Sequence, residues 1–274
     1  MKIKLLIASI SALLTFNVMA ETSNPSKEEM DKKAREYLAK SGINIPETTD
    51  ISIVSATKYI NAPTAANDKN DAYIAKKMQE FLSMNQEQQK NGYVQVAEPR
   101  AKELMELKYI APTQIKKYKD TFSPISTHIR MSIDEIKLAY TFLGVPETDR
   151  NLTIGVAPFG AYKQVKNGDK GDGWDGAVQF FEKDGIGSCA YYEHNRILAQ
   201  SGVELIKELV TYDVDNKPTI VLVKGTEQTG FVYKLKWYDQ TFSRELECAN
   251  TKFSSQIRSE VINLANRIEN YQHQ

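Results

Sequence analysis

Apolar positions recur every three to four residues through the first half of the chain and every second residue through most of the second half. Helices are therefore predicted first and strands afterwards. Ser26, Lys27, Glu28 and Glu29 make a capping box, in which the serine hydroxyl and a glutamate carboxylate satisfy free N–H groups of a first turn. The helix that follows carries Met30, Ala34, Tyr37 and Leu38 on one face and stops at Gly42. Residues 51–55 read as a short strand and 61–67 as a loop. Residues 68–91 read as a longer helix, with Ile74, Met78, Phe81 and Leu82 at helical spacing. Its wholly polar end, 85–90, is expected to fray or project. Pro99 opens a helix that turns Ala101, Leu104 and Met105 inward, and Pro112 opens another with Ile115, Tyr118 and Phe122 on one side. A second capping box at Ser132 to Glu135 precedes a stripe of Ile133, Ile136, Tyr140 and Leu143, closed by Gly144 and Pro146. Each stripe is expected to pack on the protein's own core rather than on a partner.

The period then changes. Residues 152–165 read as a strand whose Pro158 marks an edge or a bulge. Residues 177–182 and 188–192 follow, joined by a turn at 183–185. Residues 203–209 suit helix or strand. After a turn at 215–218 come strands at 219–224, 231–238 and 242–248. In 231–238 the residues Phe231, Tyr233, Leu235 and Trp237 share one face, and Lys234 and Lys236 the other. The final helix, 255–271, has Ile257, Val261, Leu264 and Ile268 placed to cover one face of the sheet. The expected class is α+β: N-terminal helices, then a mainly antiparallel sheet and a C-terminal helix. The expected division is 1–20 as a signal peptide, 21–148 as the helix-rich region and 149–274 as the sheet region.

The start of the chain sets the expected compartment. A short basic stretch holding Lys2 and Lys4 precedes an apolar run from Leu5 to Phe16, and Val18, Met19 and Ala20 suit a signal peptidase. The apolar run is shorter than the roughly 20 residues a spanning helix needs. The compact start is bacterial in style, so the mature chain is expected in the periplasm or secreted beyond it, with no membrane span. The two cysteines, Cys189 and Cys248, are expected to pair, as exported cysteines commonly do.

Charge removes one function class. Without Lys2 and Lys4 the chain has 33 basic and 35 acidic residues, whereas nucleic-acid binding favours a strongly basic face. The candidate ligand loop is 166–176, where Asp169, Asp172, Trp174 and Asp175 sit among glycines. Its carboxylates could hold a cation, and Trp174 could stack on a sugar. An EF-hand is excluded, because Gly171, Gly173 and Trp174 stand where ligands or the turn glycine should be. Residues 185–190 match a dinucleotide-loop pattern but open no helix. Cys189 and His194 lie five positions apart on an expected strand and would face opposite ways. His128 and His273 are isolated, and no zinc helix, nucleophile elbow or phosphate loop occurs.

No catalytic, cofactor or metal residue is therefore assigned. The expectation is a non-catalytic exported protein that binds another envelope or secreted protein, in an envelope assembly or as a host-facing factor. Two alternatives remain: a carboxylate-dependent hydrolase of envelope polymers, and a sugar- or small-ligand-binding protein that uses the 166–176 loop.

Overall fold

Helices and strands fall largely where the change of period puts them. The structure, a computed structural model, describes residues 26–47, 51–61, 69–110, 130–164 and 171–272. The expected signal peptide, the helix after Pro112, Asp169, His128 and His273 lie outside the described residues. In chain order come α1 (Lys27–Lys40), β1 (Ile51–Val54), α2 (Thr57–Ile60), α3 (Lys69–Asn91), β2 (Val94–Gln95) and α4 (Pro99–Glu106). The sheet region supplies β3 (Leu152–Lys163), β4 (Gly173–Lys183), β5 (Gly187–Asn195), α5 (Arg196–Ala199), β6 (Val203–Ile206) and β7 (Tyr212–Val214). It ends with β8 (Lys217–Thr226), β9 (Gly230–Tyr238), β10 (Phe242–Asn250) and α6 (Ser255–Gln272). No described helix is long and apolar enough to cross a membrane.

The class is α+β, with one disulfide in a mainly antiparallel sheet and a C-terminal helix. The main sheet runs β2-β8-β9-β10-β5-β4-β3, with β7 also beside β8. It is built from two antiparallel meanders, β3–β4–β5 and β8–β9–β10, joined where β5 pairs with β10. Cys189 and Cys248 stand directly opposite each other in that joining ladder, with Cα atoms 4.1 Å apart, and form the expected disulfide. The bond thus staples the two meanders together at their seam. A second, two-stranded sheet pairs β1 with β6 in parallel, which resolves residues 203–206 as strand.

Alternation dictates the faces. Phe231, Tyr233, Leu235 and Trp237 of β9 all point under α6, where Val261, Leu264, Ala265 and Ile268 meet them with Tyr191 and Leu246. On the opposite face α4 lays Ala101 and Leu104, and the 3-10 turn after it Leu107, over Val178, Phe180, Ala190, Val232 and Ala249. Pro158 falls on β3, the edge strand, as its missing N–H requires.

Two expectations are corrected. The polar end of α3 does not fray. Gln88 is buried there, donating from Nε2 to Val221 O at 2.8 Å and accepting from Val223 N at 2.5 Å. Its amide stands in for a neighbouring strand along the outer edge of β8, between the stretches that β7 and β2 cover. An exposed strand edge is a template for unwanted pairing, so covering it has a clear use. The second correction is at 132–143. Its capping box closes only a 3-10 turn, Ile133–Glu135. The backbone beyond is taken by strand-like pairing, with Ala139 N donating to Trp174 O and Trp174 N to Lys137 O. Tyr140 and Phe142 reach the core at a spacing of two, while Ile133 and Leu143 are exposed.

Candidate functional site

Residues that face away from α6 on β8, β9, β10 and β5 form the floor of a trough. From β9 come Val232, Lys234, Lys236 and Tyr238, and from β8 Ile220, Leu222 and Lys224. Ser243, Glu245 and Glu247 of β10 and Tyr192 and His194 of β5 continue the same face. Met78, Phe81 and Met84 of α3 and Leu209 wall one end, which is a hollow of about 620 Å³. The other end is a hollow of about 450 Å³ lined by Phe159, Tyr192, His194 and Ser243 among others. Arg100, Lys234, Lys236, Tyr238 and Glu247 line both, so the two hollows adjoin along these side chains.

The apolar end follows from helical spacing. Met78 and Leu82 pack on Val54, Ala56 and Ile206, and this turns Phe81 towards the sheet. Phe81 remains 39 % exposed. A large apolar ring at a hollow rim, next to Ile220 and Leu222, is surface suited to a ligand tail.

The polar end follows from strand alternation. Lys234 and Lys236 are two apart on β9, and Glu245 and Glu247 two apart on β10, so all four share the trough face. Lys234 Nζ bridges Glu245 and Glu247, lying 2.8 Å from the latter, and Lys236 Nζ is 2.6 Å from Glu245. From α4, Arg100 reaches Glu247 at 3.2 Å and donates to the Tyr192 hydroxyl at 2.6 Å. Burial opposes the charge of Glu247, but Lys234 and Arg100 outweigh it and hold the carboxyl at about 2. Burial and the neighbouring Glu247 push Glu245 the other way, above the usual carboxylate range, against the pull of Lys236 and Lys234. Adjacent carboxylates driven apart in this way can differ in protonation at one pH.

At the far end Asp175 is 1 % exposed and its Oδ1 lies 3.3 Å from His194 Nε2. The same oxygen accepts from Ala161 N at 2.8 Å, and Oδ2 is 3.3 Å from Lys163 Nζ. Burial works against its charge, yet His194, the Ala161 N–H and Lys163 hold Asp175 below its ordinary value. Gly160 makes the arrangement possible: at φ +81°, a Cβ there would sit 2.0 Å from Asp175 Oδ1.

Comparison with protein-family models, with curated proteins and with solved structures gives no match.

Of the candidate loop, Asp172 is half-buried just before β4, and Trp174 and Asp175 are buried strand residues. Trp174 packs edge-on against Tyr162 with ring centroids 5.8 Å apart and lines neither hollow. Asp175 alone of these reaches the trough, through His194. Among the described residues no group of three or more His, Cys, Asp or Glu side chains is placed to hold a metal ion. Cys189 and His194 do lie on opposite faces of β5, with Cys189 in the α6 core and His194 in the trough. The residues that sequence reasoning missed are Arg100, Tyr192, Ser243, Glu245 and Glu247. A signal existed for the last two: Glu245 and Glu247 alternate on one strand as Lys234 and Lys236 do on the preceding one.

Proposed function

We propose that the protein binds an amphipathic small molecule along the trough, with an apolar tail at the Met78–Phe81–Leu222 end and a polar head over Lys234, Lys236 and Arg100. The observation that carries this reading is that a largely apolar hollow adjoins a charged one across a single strand face, with five side chains lining both. About 620 Å³ falls within the size range of small-ligand sites, which combine an apolar lining with a few polar groups. Concavity favours this over the protein-binding face expected from sequence, for which a flat apolar patch is the more natural form. The reading retains export to the periplasm or beyond, supported by the basic and apolar start of the chain and by a buried disulfide in keeping with an oxidising compartment.

A fluorescence titration with N-phenyl-1-naphthylamine tests the proposal. The probe should brighten with the parent protein and be displaced by dodecanoate. Phe81→Asp should weaken binding at least about tenfold, since a charge replaces buried contact area. Equal binding by Phe81→Asp and parent, with both folded, would contradict the assignment.

A further inference from the structure

We infer that Ser243, His194 and Asp175 form an acyl-transfer centre at the polar end of the trough, acting on esters of apolar acyl chains. This inference rests on the reading of the trough as a ligand site and adds a reaction to it. Across the sheet, Tyr238, Ser243 and His194 make one row on the trough face: Ser243 stands directly opposite Tyr238 on β9 and directly opposite His194 on β5. Next in the row on β4 is Gly176, whose missing side chain leaves its place to the Phe159 ring. Because β5 lies between β10 and β4, His194 is flanked by Ser243 on one side and by the β4 residue Asp175 on the other. That is the serine–histidine–aspartate order of acyl-transfer enzymes, recognised by geometry and role rather than by chain order.

The aspartate–histidine half is built into the fold. The register of β3 against β4 shifts between Phe159 and Tyr162, and the Ala161 N–H inside that irregularity points at Asp175 Oδ1. Gly160, in the same irregularity, leaves the space the carboxylate and imidazole occupy. Such bulges commonly re-aim groups beside active sites. The imidazole is partly open, with 28 % of its side chain exposed, and lines the same hollow as Ser243. Tyr238 also lines it, and burial with the nearby Glu245 pushes its hydroxyl up to about 12. The phenol therefore stays protonated at neutral pH and is a donor for a developing oxyanion.

The chemistry closes without a cofactor. Ser243 Oγ forms a bond to the ester carbonyl carbon while His194 takes its proton. The C–O bond to the alcohol then breaks, and His194 returns the proton to the leaving oxygen. In the second half water bonds to the acyl carbon as His194 takes its proton; the bond from that carbon to Ser243 Oγ then breaks, His194 returns the proton to Oγ, and the fatty acid leaves. Ser243 and His194 touch the reacting atoms, whereas Asp175 is a positioning residue.

The test uses the whole chain and an alkyl fluorophosphonate, in which Ser243 Oγ would bond to phosphorus as fluoride leaves. Peptide mapping by mass spectrometry should place the adduct on Ser243, and p-nitrophenyl octanoate should be hydrolysed. Ser243→Ala should abolish both, and His194→Ala should slow labelling at least about a hundredfold. Asp175→Asn should lower the maximal labelling rate with little change in the half-saturating probe concentration, a split that loss of folding would not give. An unlabelled parent protein, an adduct on another residue, or labelling that ignores His194 overturns the inference. Naphthylamine binding without any Ser243 adduct defeats this inference and leaves the trough reading standing. Absence of naphthylamine binding defeats the trough reading itself. Should Ser243→Ala fail to fold, the site of labelling in the parent chain decides alone.

Discussion

The two faces of the main sheet are made by alternate residues of the same strands, yet they have opposite fates. Under α6, Phe231, Tyr233, Leu235 and Trp237 of β9 and Arg244, Leu246 and Cys248 of β10 are buried, and even the charges there are enclosed. Arg244 is held between Glu193 and Asp239, and Glu269 of α6 accepts from Trp237 Nε1 at 2.6 Å and pairs with Lys217 at 3.2 Å. On the trough face the alternate residues Lys234, Lys236, Glu245 and Glu247 hold one another and Arg100 in ion pairs, with an open hollow above. One face uses its chemistry to fix the C-terminal helix. The other keeps a preformed polar surface that α4 covers only in part, leaving Lys234 and Lys236 facing the hollow.

The contrast is sharpest in stability. Trp237→Ala should cost about 3–5 kcal/mol by urea unfolding, through the emptied core volume, and it also deprives buried Glu269 of a donor. Lys236→Ala, on the open face, should cost less than about 1 kcal/mol. Comparable losses from both would erase the distinction between the faces.

Next in size is the seam between the meanders. Replacing Cys189 and Cys248 together by alanine should cost about 4 kcal/mol if chain entropy governs, given their separation of 59 positions. Hydrogen exchange should then accelerate first along β5 and β10. A variant whose exchange is unchanged there would show that the ladder holds without its staple.

At the sheet edge, Gln88→Ala should cost about 2 kcal/mol, because Val221 O and Val223 N lose their partner in a buried setting. A change near zero would mean that water replaces the amide freely and the edge is not sealed.

Acid separates Glu247 from Glu193 by sign. Glu247 on the trough face is held at about 2, so the stability it contributes is present above its ordinary value of 4.5 and lost as pH falls towards 2. Glu193 under α6 is pushed up by burial, against Arg244 and the Tyr191 hydroxyl, so its contribution is present below 4.5 and lost as pH rises through its raised value. Stability curves should therefore flatten between pH 4.5 and 2 in Glu247→Gln. In Glu193→Gln, stability relative to the parent should climb as pH rises above 4.5.

What sequence made legible was local. The serine cap at Ser26, the stripe of α6 and the one-sided apolar row of β9 are short-range patterns, and each formed where its residues required, although the Glu29 carboxylate of the expected capping box pairs with Lys33 instead. The disulfide followed from there being two cysteines in a chain read as exported. Long-range pairing was hidden. Nothing near Gln88 says that its amide will meet β8, and nothing near 137–139 says that those residues will pair beside Trp174 instead of continuing a helix. The trough was hidden for the same reason, since its parts come from α3, α4, β5, β8, β9 and β10. The aspartate-rich loop drew attention by composition, but Trp174 and Asp175 belong to a buried strand, where alternation and packing outweigh turn chemistry.

On this reading the trough, and not the face under α6, receives an amphipathic ligand. A methyl-carbon-13 methionine spectrum titrated with dodecanoate below its micelle concentration tests this directly, because Met78 and Met84 line the apolar end. Those two methyl signals should move and saturate while Met131, beside β3, stays in place. Unmoved Met78 and Met84 signals, or equal drift of all the methionines, would contradict it.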